Sequence, residues 1–319
     1  MANPTDTSVL EELKQAVQTY ADRHANSDGL AVTPISGLRM MCVREPSGPM
    51  RSMYRPLVCL VLQGAKQMIA GREERLFEAG QSIIIGIDLP VIGRIVEASR
   101  EKPYLAIAVE LDAAILHEMA ARISDATEPP EPASPLITVR SDESLMNCAT
   151  GLMHLLDRPD AAPLLQPALL QELHYWLLTS SHGPALRALT KQDSYAQRIA
   201  GAIEVIRKNY HKPISVEELA SIARISTSAF RRRFKALTSL SPVQFQKHLR
   251  LIEARRLMRS EGMTATRAAH HVGYESVSQF TREYARMFGA PPRRDVSAPP
   301  SQIPGLVEDE TEESTNSDT

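Results

Sequence analysis

The stretch STSAFRRRFKALTSLSP at residues 226–242 recurs at residues 276–292 as SVSQFTREYARMFGAPP. Ser226 aligns with Ser276, Ser228 with Ser278, Phe230 with Phe280, Arg232 with Arg282 and Pro242 with Pro292, while Phe234 meets Tyr284. A segment repeated in this way is one supersecondary unit used twice.

Each copy reads as a helix-turn-helix. In the first, Ser215 and Glu218 have capping-box spacing ahead of a helix over 216–223, with Leu219, Ala220 and Ile222 directed inward. Arg224 and Ile225 make a tight connection, and Ser226 caps a second helix over 227–237. Phe230, Phe234 and Leu237 form its buried stripe, leaving Thr227, Ser228, Arg231, Arg232 and Lys235 towards solvent. In the second copy Thr264 caps a helix ending at His271, and Gly273 supplies a left-handed position. Ser276 then caps a helix burying Phe280, Tyr284 and Met287, with Ser278, Gln279, Thr281, Arg282 and Arg286 exposed. Gly289 and the Pro291-Pro292 pair stop it. One helix from Pro242 to about Ser260 joins the copies. At ~1.5 Å per residue it is roughly 28 Å long. With the width of each unit added, the second helices are expected about one turn of B-DNA apart, ~34 Å, and able to enter successive major grooves.

The charge distribution agrees. The chain has 319 residues and a net charge of −2. Its length suits about two domains at roughly 100–200 residues each. Residues 193–296 hold 19 Lys and Arg against 9 Asp and Glu, whereas residues 1–192 hold 17 against 23. Residues 297–319 hold 6 acids and no Lys or Arg. A basic block inside a near-neutral chain suits a polyanion, since lysine and arginine on phosphates release condensed counterions.

The front half has a different texture. Residues 8–24 are amphipathic at helical spacing, and short apolar runs from Leu38 to Leu111 read as strands at 38–44, 57–63, 66–70, 74–77, 82–86, 91–98 and 104–111. Glycines and X-Pro pairs punctuate them, as in a small barrel or sandwich. Asp112 caps a helix over 113–123, and a Pro-rich loop occupies 128–135. Helices at 141–156 and 164–179 either pack on the barrel or pair with a second subunit, and 182–193 reads as a connection. The Pro-containing acidic tail, lacking aromatics, reads as disordered.

Residues 198–296 resemble the DNA-binding domain of the AraC/XylS family of bacterial transcription regulators. The matching motifs are SVEELA (215–220), STSAFRRRFK (226–235), LSPVQF (240–245), LRLIEARRLM (249–258) and VGYESVSQFTREYARMFGAPP (272–292). This chain departs from the family pattern after the last proline, where it carries Arg294-Asp295-Val296. The segments YRPLVCLVLQGAKQM (54–68), FEAGQSIIIGIDLPVIGRI (77–95) and EKPYLAIAVELD (101–112) resemble the cupin-related N-terminal module of such regulators.

The resemblance implies an α+β two-domain fold. A cupin-like β-barrel with flanking helices occupies 1–126, a helical region and linker 127–192, and an all-α DNA-binding domain 193–296. The helix-turn-helix units fall at 217–238 and 265–288, and the acidic tail at 297–319. The resemblance also implies base-reading roles for Ser228, Arg231 and Arg232 in the first unit and Ser278, Gln279 and Arg282 in the second. The chemistry is consistent: arginine hydrogen-bonds guanine O6 and N7 in pairs, and glutamine does the same to adenine. Thr227, Arg233, Lys235 and Arg286 are assigned to phosphates, which position without reading sequence. Double-stranded DNA is the implied partner, with RNA polymerase, a small-molecule effector and a second copy of the chain as further ones. Activation is the direction the resemblance favours.

A cupin-type enzyme or small-molecule-binding protein is the alternative. Metal-holding cupins need clustered histidines and carboxylates, yet residues 38–111 contain no histidine. No GxG or GxSxG occurs, and the adjacent His270 and His271 diverge on their helix. No catalytic residue, metal site or cofactor is therefore expected. Cys59 is either a redox or electrophile sensor or a small buried hydrophobe. Its companions Cys42 and Cys148 are widely spaced, so neither a disulfide framework nor a zinc site is expected. The longest aliphatic run spans residues 57–62. A membrane span needs far more, roughly 18 residues. The N-terminus lacks a secretory pattern. The expected location is the cytoplasm.

Overall fold

The computed structural model describes residues 4–71, 73–123, 136–181, 183–190 and 194–297. The Pro-rich stretch and residues 298–319 lie outside these, whereas Ser297 ends a helix.

The chain opens with α1 (Pro4–His24) and continues into β1 (Leu30–Val32), β2 (Leu38–Val43), β3 (Met50–Tyr54), β4 (Leu57–Gln63) and β5 (Ala65–Ala70). There follow β6 (Glu73–Glu78), β7 (Gln81–Ile85), β8 (Leu89–Glu97), β9 (Tyr104–Glu110), α2 (Ala113–Arg122) and β10 (Leu136–Arg140). A six-stranded antiparallel sheet runs β1-β2-β9-β4-β7-β10, facing a four-stranded one ordered β3-β8-β5-β6. The continuous apolar run of β4 follows from burial on both faces. Leu57, Cys59 and Val61 point between the sheets, while Val58, Leu60 and Leu62 point to the helices behind. Gly64 makes the tight turn into β5 at φ +74°. Such a backbone favours glycine, and a Cβ there would meet the Glu97 carbonyl at 2.4 Å.

The helices behind the large sheet are α1, α2, α3 (Glu143–His154), α4 (Ala162–Thr179) and α5 (Gly183–Thr190), with a 3₁₀ turn at Leu155–Asp157. Asp112 caps α2 as expected, accepting from the Ala114 and Ile115 amides at 2.7 and 3.2 Å. Buried His174 on α4 accepts the Asp112 amide at 2.9 Å and is held below its ordinary pKa by burial, so it serves as a neutral strut. Three strands differ from expectation: β1, β3 and β10 are additional. The expected connection at 182–193 contains α5, whose Leu186 and Leu189 are buried. Because β10 pairs with β7, the barrel module continues past residue 126.

The second half comprises α6 (Tyr195–Lys208), α7 (Val216–Ile222), α8 (Thr227–Thr238), α9 (Pro242–Ser260), α10 (Ala265–His271), α11 (Val277–Phe288) and α12 (Pro292–Ser297). It holds two separate cores. The first gathers Ile203, Leu219, Phe230, Phe234, Phe245 and Leu249; the second gathers Leu251, Leu257, Val272, Phe280, Tyr284 and Phe288. Helix α9 thus gives its first half to one unit and its second half to the other. Ile222 is not inward but 46% exposed, because Ala223 takes the buried position at the end of this short helix. Leu237 and Met287 are half-buried, and Thr238 and Phe288 complete the buried stripes instead.

Polar contacts join the halves. Arg259 on α9 reaches Asp28 at 3.0 Å, Gln197 reaches His117 at 2.8 Å, and Arg207 on α6 approaches Asp88 at 3.5 Å. Burial and Glu204 push the Asp88 carboxyl up to about 6, against the opposing pull of Arg207 and Arg55. A raised carboxyl holds its proton in the folded chain where the unfolded chain has released it. Its contribution to stability is therefore best below the ordinary value of 3.8 and declines as pH rises through about 6. Asp88→Asn removes this decline, so the variant should gain Tm on the parent between about pH 4 and 7. Parallel Tm curves for the two proteins would refute this assignment.

Candidate nucleic-acid interface

Helix α8 starts where the sequence requires. Arg224 adopts φ +52°, turning the chain, and the Ser226 hydroxyl accepts the Ala229 amide at 3.4 Å, the bond expected of an N-cap. Phe230 and Phe234 are fully buried with ring centroids 5.4 Å apart. Phe245 of α9 meets Phe234 edge-on at 5.4 Å, a favoured arrangement for aromatic pairs. Anchoring that face leaves Ser228, Arg231, Arg232 and Lys235 exposed, with Thr227 and Arg233 half-buried. Arg231 lies 3.7 Å from Glu217, a pair too exposed to hold it. The Arg233 guanidinium lies over the Tyr195 ring, a cation–π contact. Arg232 and Lys235 line a cleft of 710 Å³ between α8 and the barrel strands β3, β5 and β8.

Helix α11 repeats this arrangement. Ser276 accepts the Gln279 amide at 3.3 Å, Phe280 and Tyr284 are fully buried, and Gly289 ends the helix at φ +78°. Ser278, Gln279, Arg282 and Arg286 are exposed, and Thr281 donates to the Val277 carbonyl at 2.8 Å. Arg232, Arg282 and Arg286 make no ion pair among the described residues. The candidate residues therefore form two groups, one per helix, each on the side opposite its aromatic anchor.

Spacing alone did not identify the groups that hold these helices. Arg250 on α9 donates to the Tyr210 carbonyl at 2.6 Å, to Lys212 at 3.2 Å and to Gly273 at 2.9 Å. It thereby staples the loop of the first unit to the turn before α11. Gly273 (φ +88°) sits against the His211 carbonyl, where a Cβ would lie at 2.0 Å. Glu283 on α11 accepts from Lys247 of α9 and from Tyr274, each at 2.8 Å, and from Gln279 at 3.2 Å. Burial opposes its charge, but these hydrogen bonds outweigh that and keep its carboxyl below the ordinary range. Asp295, only 3% exposed, accepts both Arg255 Nε and Nη2 at 2.8 Å and the Tyr284 hydroxyl at 2.6 Å. The residue that departs from the family pattern is thus the ionic anchor of α9, α11 and α12.

Residues 34–185 match the family model of the AraC-type transcriptional regulator N-terminus, and residues 219–296 match a helix-turn-helix domain. The chain belongs to the AraC/XylS family. ExsA of Pseudomonas aeruginosa, an HTH-type transcriptional regulator, is 24% identical over 193 residues, 60% of this chain and 68% of its own. GbdR of the same organism is 31% identical over 105 residues, 33% of this chain, and the match spans only 29% of its own length. An apo structure of ToxT from Vibrio cholerae superimposes with a TM-score of 0.58 at 8% identity, covering 86% of this chain and 98% of that one. A second, with unsaturated fatty acid bound, gives 0.57 at 8% identity over 82% and 93%. At that identity the likeness shows the two-domain fold.

The placement of Cys59 bears on its candidate role. It is buried between the sheets, and burial pushes its thiol up. That favours the unreactive protonated form.

Asp295→Ala should strand Arg255 and the Tyr284 hydroxyl in the interior. Loss of one partner of a buried pair predicts a cost of about 3–5 kcal/mol, read by urea unfolding of the full chain. A cost within ~0.5 kcal/mol, as for an ordinary surface site, would refute this role for Asp295.

Proposed function

We propose that the protein is a sequence-specific DNA-binding transcription regulator whose two recognition helices, α8 and α11, enter adjacent major grooves on one face of the duplex. One observation carries the reading. Two arginine-bearing helix faces, each backed by its own aromatic core, are joined through a single 19-residue helix and stapled at Arg250. Ser228, Arg231, Arg232, Ser278, Gln279 and Arg282 read bases; Thr227, Arg233, Lys235 and Arg286 hold phosphates. Family membership supports activation through RNA polymerase and a cytoplasmic location.

The barrel is the regulatory half of this reading. The fatty acid named with ToxT supports a small-molecule effector for a module of this fold. The turn at Gly71 packs on Ser239 at the C-terminus of α8, giving the barrel a direct route to the first recognition helix. Pairing with a second copy is assigned to α4, which packs its Leu173 and Leu177 inward while leaving Leu164, Leu165 and Tyr175 80%, 52% and 45% exposed.

A gel-shift titration with the DNA upstream of its own coding sequence tests the reading. Arg282→Ala should weaken specific binding by ~1–3 kcal/mol and relax base choice at one position, whereas Arg286→Ala should weaken all sequences alike and lower the salt slope by about 1. Identical effects of the two substitutions would refute the division of roles, and no binding to any duplex would refute the function.

A further inference from the structure

The core between the two sheets is packed from Val61, Met68, Phe77, Ile95 and Ala106, yet Lys66 lies among these strands and is only 4% exposed. Its ammonium donates to the Tyr54 hydroxyl at 2.7 Å and lies 5.4 Å from the centre of that ring. Among the described residues, the ionisable groups that act on its charge are Tyr54 and Cys59, and neither is a carboxylate. Tyr104 is fully buried close to Tyr54 and Cys59, and its hydroxyl has no hydrogen-bond partner among the described residues.

The local backbone accommodates this lysine. The register of β5 against β8 shifts between Ala65 and Lys66, a bulge beside the residue, as found where a side chain is re-aimed. On β8, two residues from its register partner Ile95, stands Gly93, where a Cβ would lie 2.8 Å from Lys66 Cε and 3.4 Å from Nζ. The missing side chain at Gly93 is what leaves room for the ammonium.

Counting donors identifies the missing partner. An ammonium has three donors and no acceptor, and among the described residues one of them is used, on Tyr54. The Tyr54 hydroxyl accepts that bond and keeps its own proton to give, and the Tyr104 hydroxyl has another. The cluster is thus rich in donors, and the Cys59 thiol beside it accepts only weakly. A carboxylate accepts at two oxygens, donates nothing and supplies the single negative charge the lysine lacks. Burying a lone ammonium is costly, so the arrangement is a poor stability device and a good anion seat.

We infer that Lys66, Tyr54 and Tyr104 seat the carboxylate of a small apolar acid held between the barrel sheets, a site that rests on reading the barrel as the regulatory module. Lys66, Met68 and Ala70 share the inward face of β5. At the rise of an extended strand that face is about 13 Å from end to end. The apolar body therefore lies along Met68 and Ala70. Ala70, Leu89, Val91 and Leu136 belong both to this inter-sheet core and to the cleft facing α8, which makes the cleft the way in.

The test uses the full chain with octanoate and benzoate as probes and their neutral amides as controls, read by thermal shift and calorimetric titration. The parent protein should prefer the acids to the amides by about tenfold or more. Lys66→Met should lose that preference while melting no lower than the parent without ligand, and Tyr104→Phe should weaken the acids selectively. Equal binding of acids and amides, unaltered in Lys66→Met, overturns the anion seat but keeps a ligand-binding barrel. If neither class binds the parent, the seat is overturned; promoter binding in the same samples then decides separately whether the regulator reading stands. A Lys66→Met protein that melts well below the parent and keeps the acid preference assigns the lysine to structure and also overturns the proposal.

Discussion

The donors of one guanidinium, that of Arg250, link two structural units that share no core. Its hydrogen bonds to the carbonyls of Tyr210, Lys212 and Gly273 tie the loop after α6 to the turn before α11. The buried clusters on either half of α9 are separate, and the half-buried Tyr210, whose carbonyl this fork holds, is packed against both. Three backbone carbonyls held by one planar fork are a stiff joint, since the donors are fixed relative to one another. Gly273 permits the approach by leaving the His211 carbonyl room. The spacing of the recognition helices, and with it any reading of neighbouring grooves, depends on this joint.

Around that joint the buried Asp295 and the half-buried Glu283 serve orientation more than stability. Asp295 gathers Arg255 and Tyr284, Glu283 gathers Lys247, Tyr274 and Gln279, and each network links α9 to α11. Buried ionic groups are weak net stabilisers, but removing one partner is costly, so such networks favour one arrangement over its neighbours. The barrel meets this frame at Arg207, Arg259 and Ser239, so a change between its sheets has contacts through which to reach α8 and α9.

Much of the DNA-facing half was legible in the sequence because its signals are local. Capping serines at 215, 226 and 276, Thr264 and the glycines at 273 and 289 mark helix ends where the structure has them. Ile222 was misplaced because α7 is only seven residues long, and the cap residue Ala223 takes the inward position that periodicity gave to Ile222. Helix α5 was missed because Gly183-Pro184 reads as a break, although proline is at home in a first helical turn. Strand β10 was hidden beside a Pro-rich stretch, and β3 beside Pro49 and Gly48. Asp295 and Lys66 could not be found by spacing at all. The buried acid is explained by Arg255 and Tyr284, which the fold brings to it from other helices, and a lysine at the start of an alternating strand looks like a solvated edge residue until the opposite sheet is in place.

The direct test of a rigid two-headed reader is the affinity of the full chain for its operator after about five base pairs, half a helical turn, are inserted between the two contacted half-sites. A half turn of ~17 Å moves one half-site to the opposite face of the duplex. With the joint at Arg250 intact, affinity should fall to that of a single half-site, and insertion of a full turn should not restore it, because α9 cannot lengthen. Unchanged affinity after the half-turn insertion would show that the two units move independently and would contradict a fixed spacing.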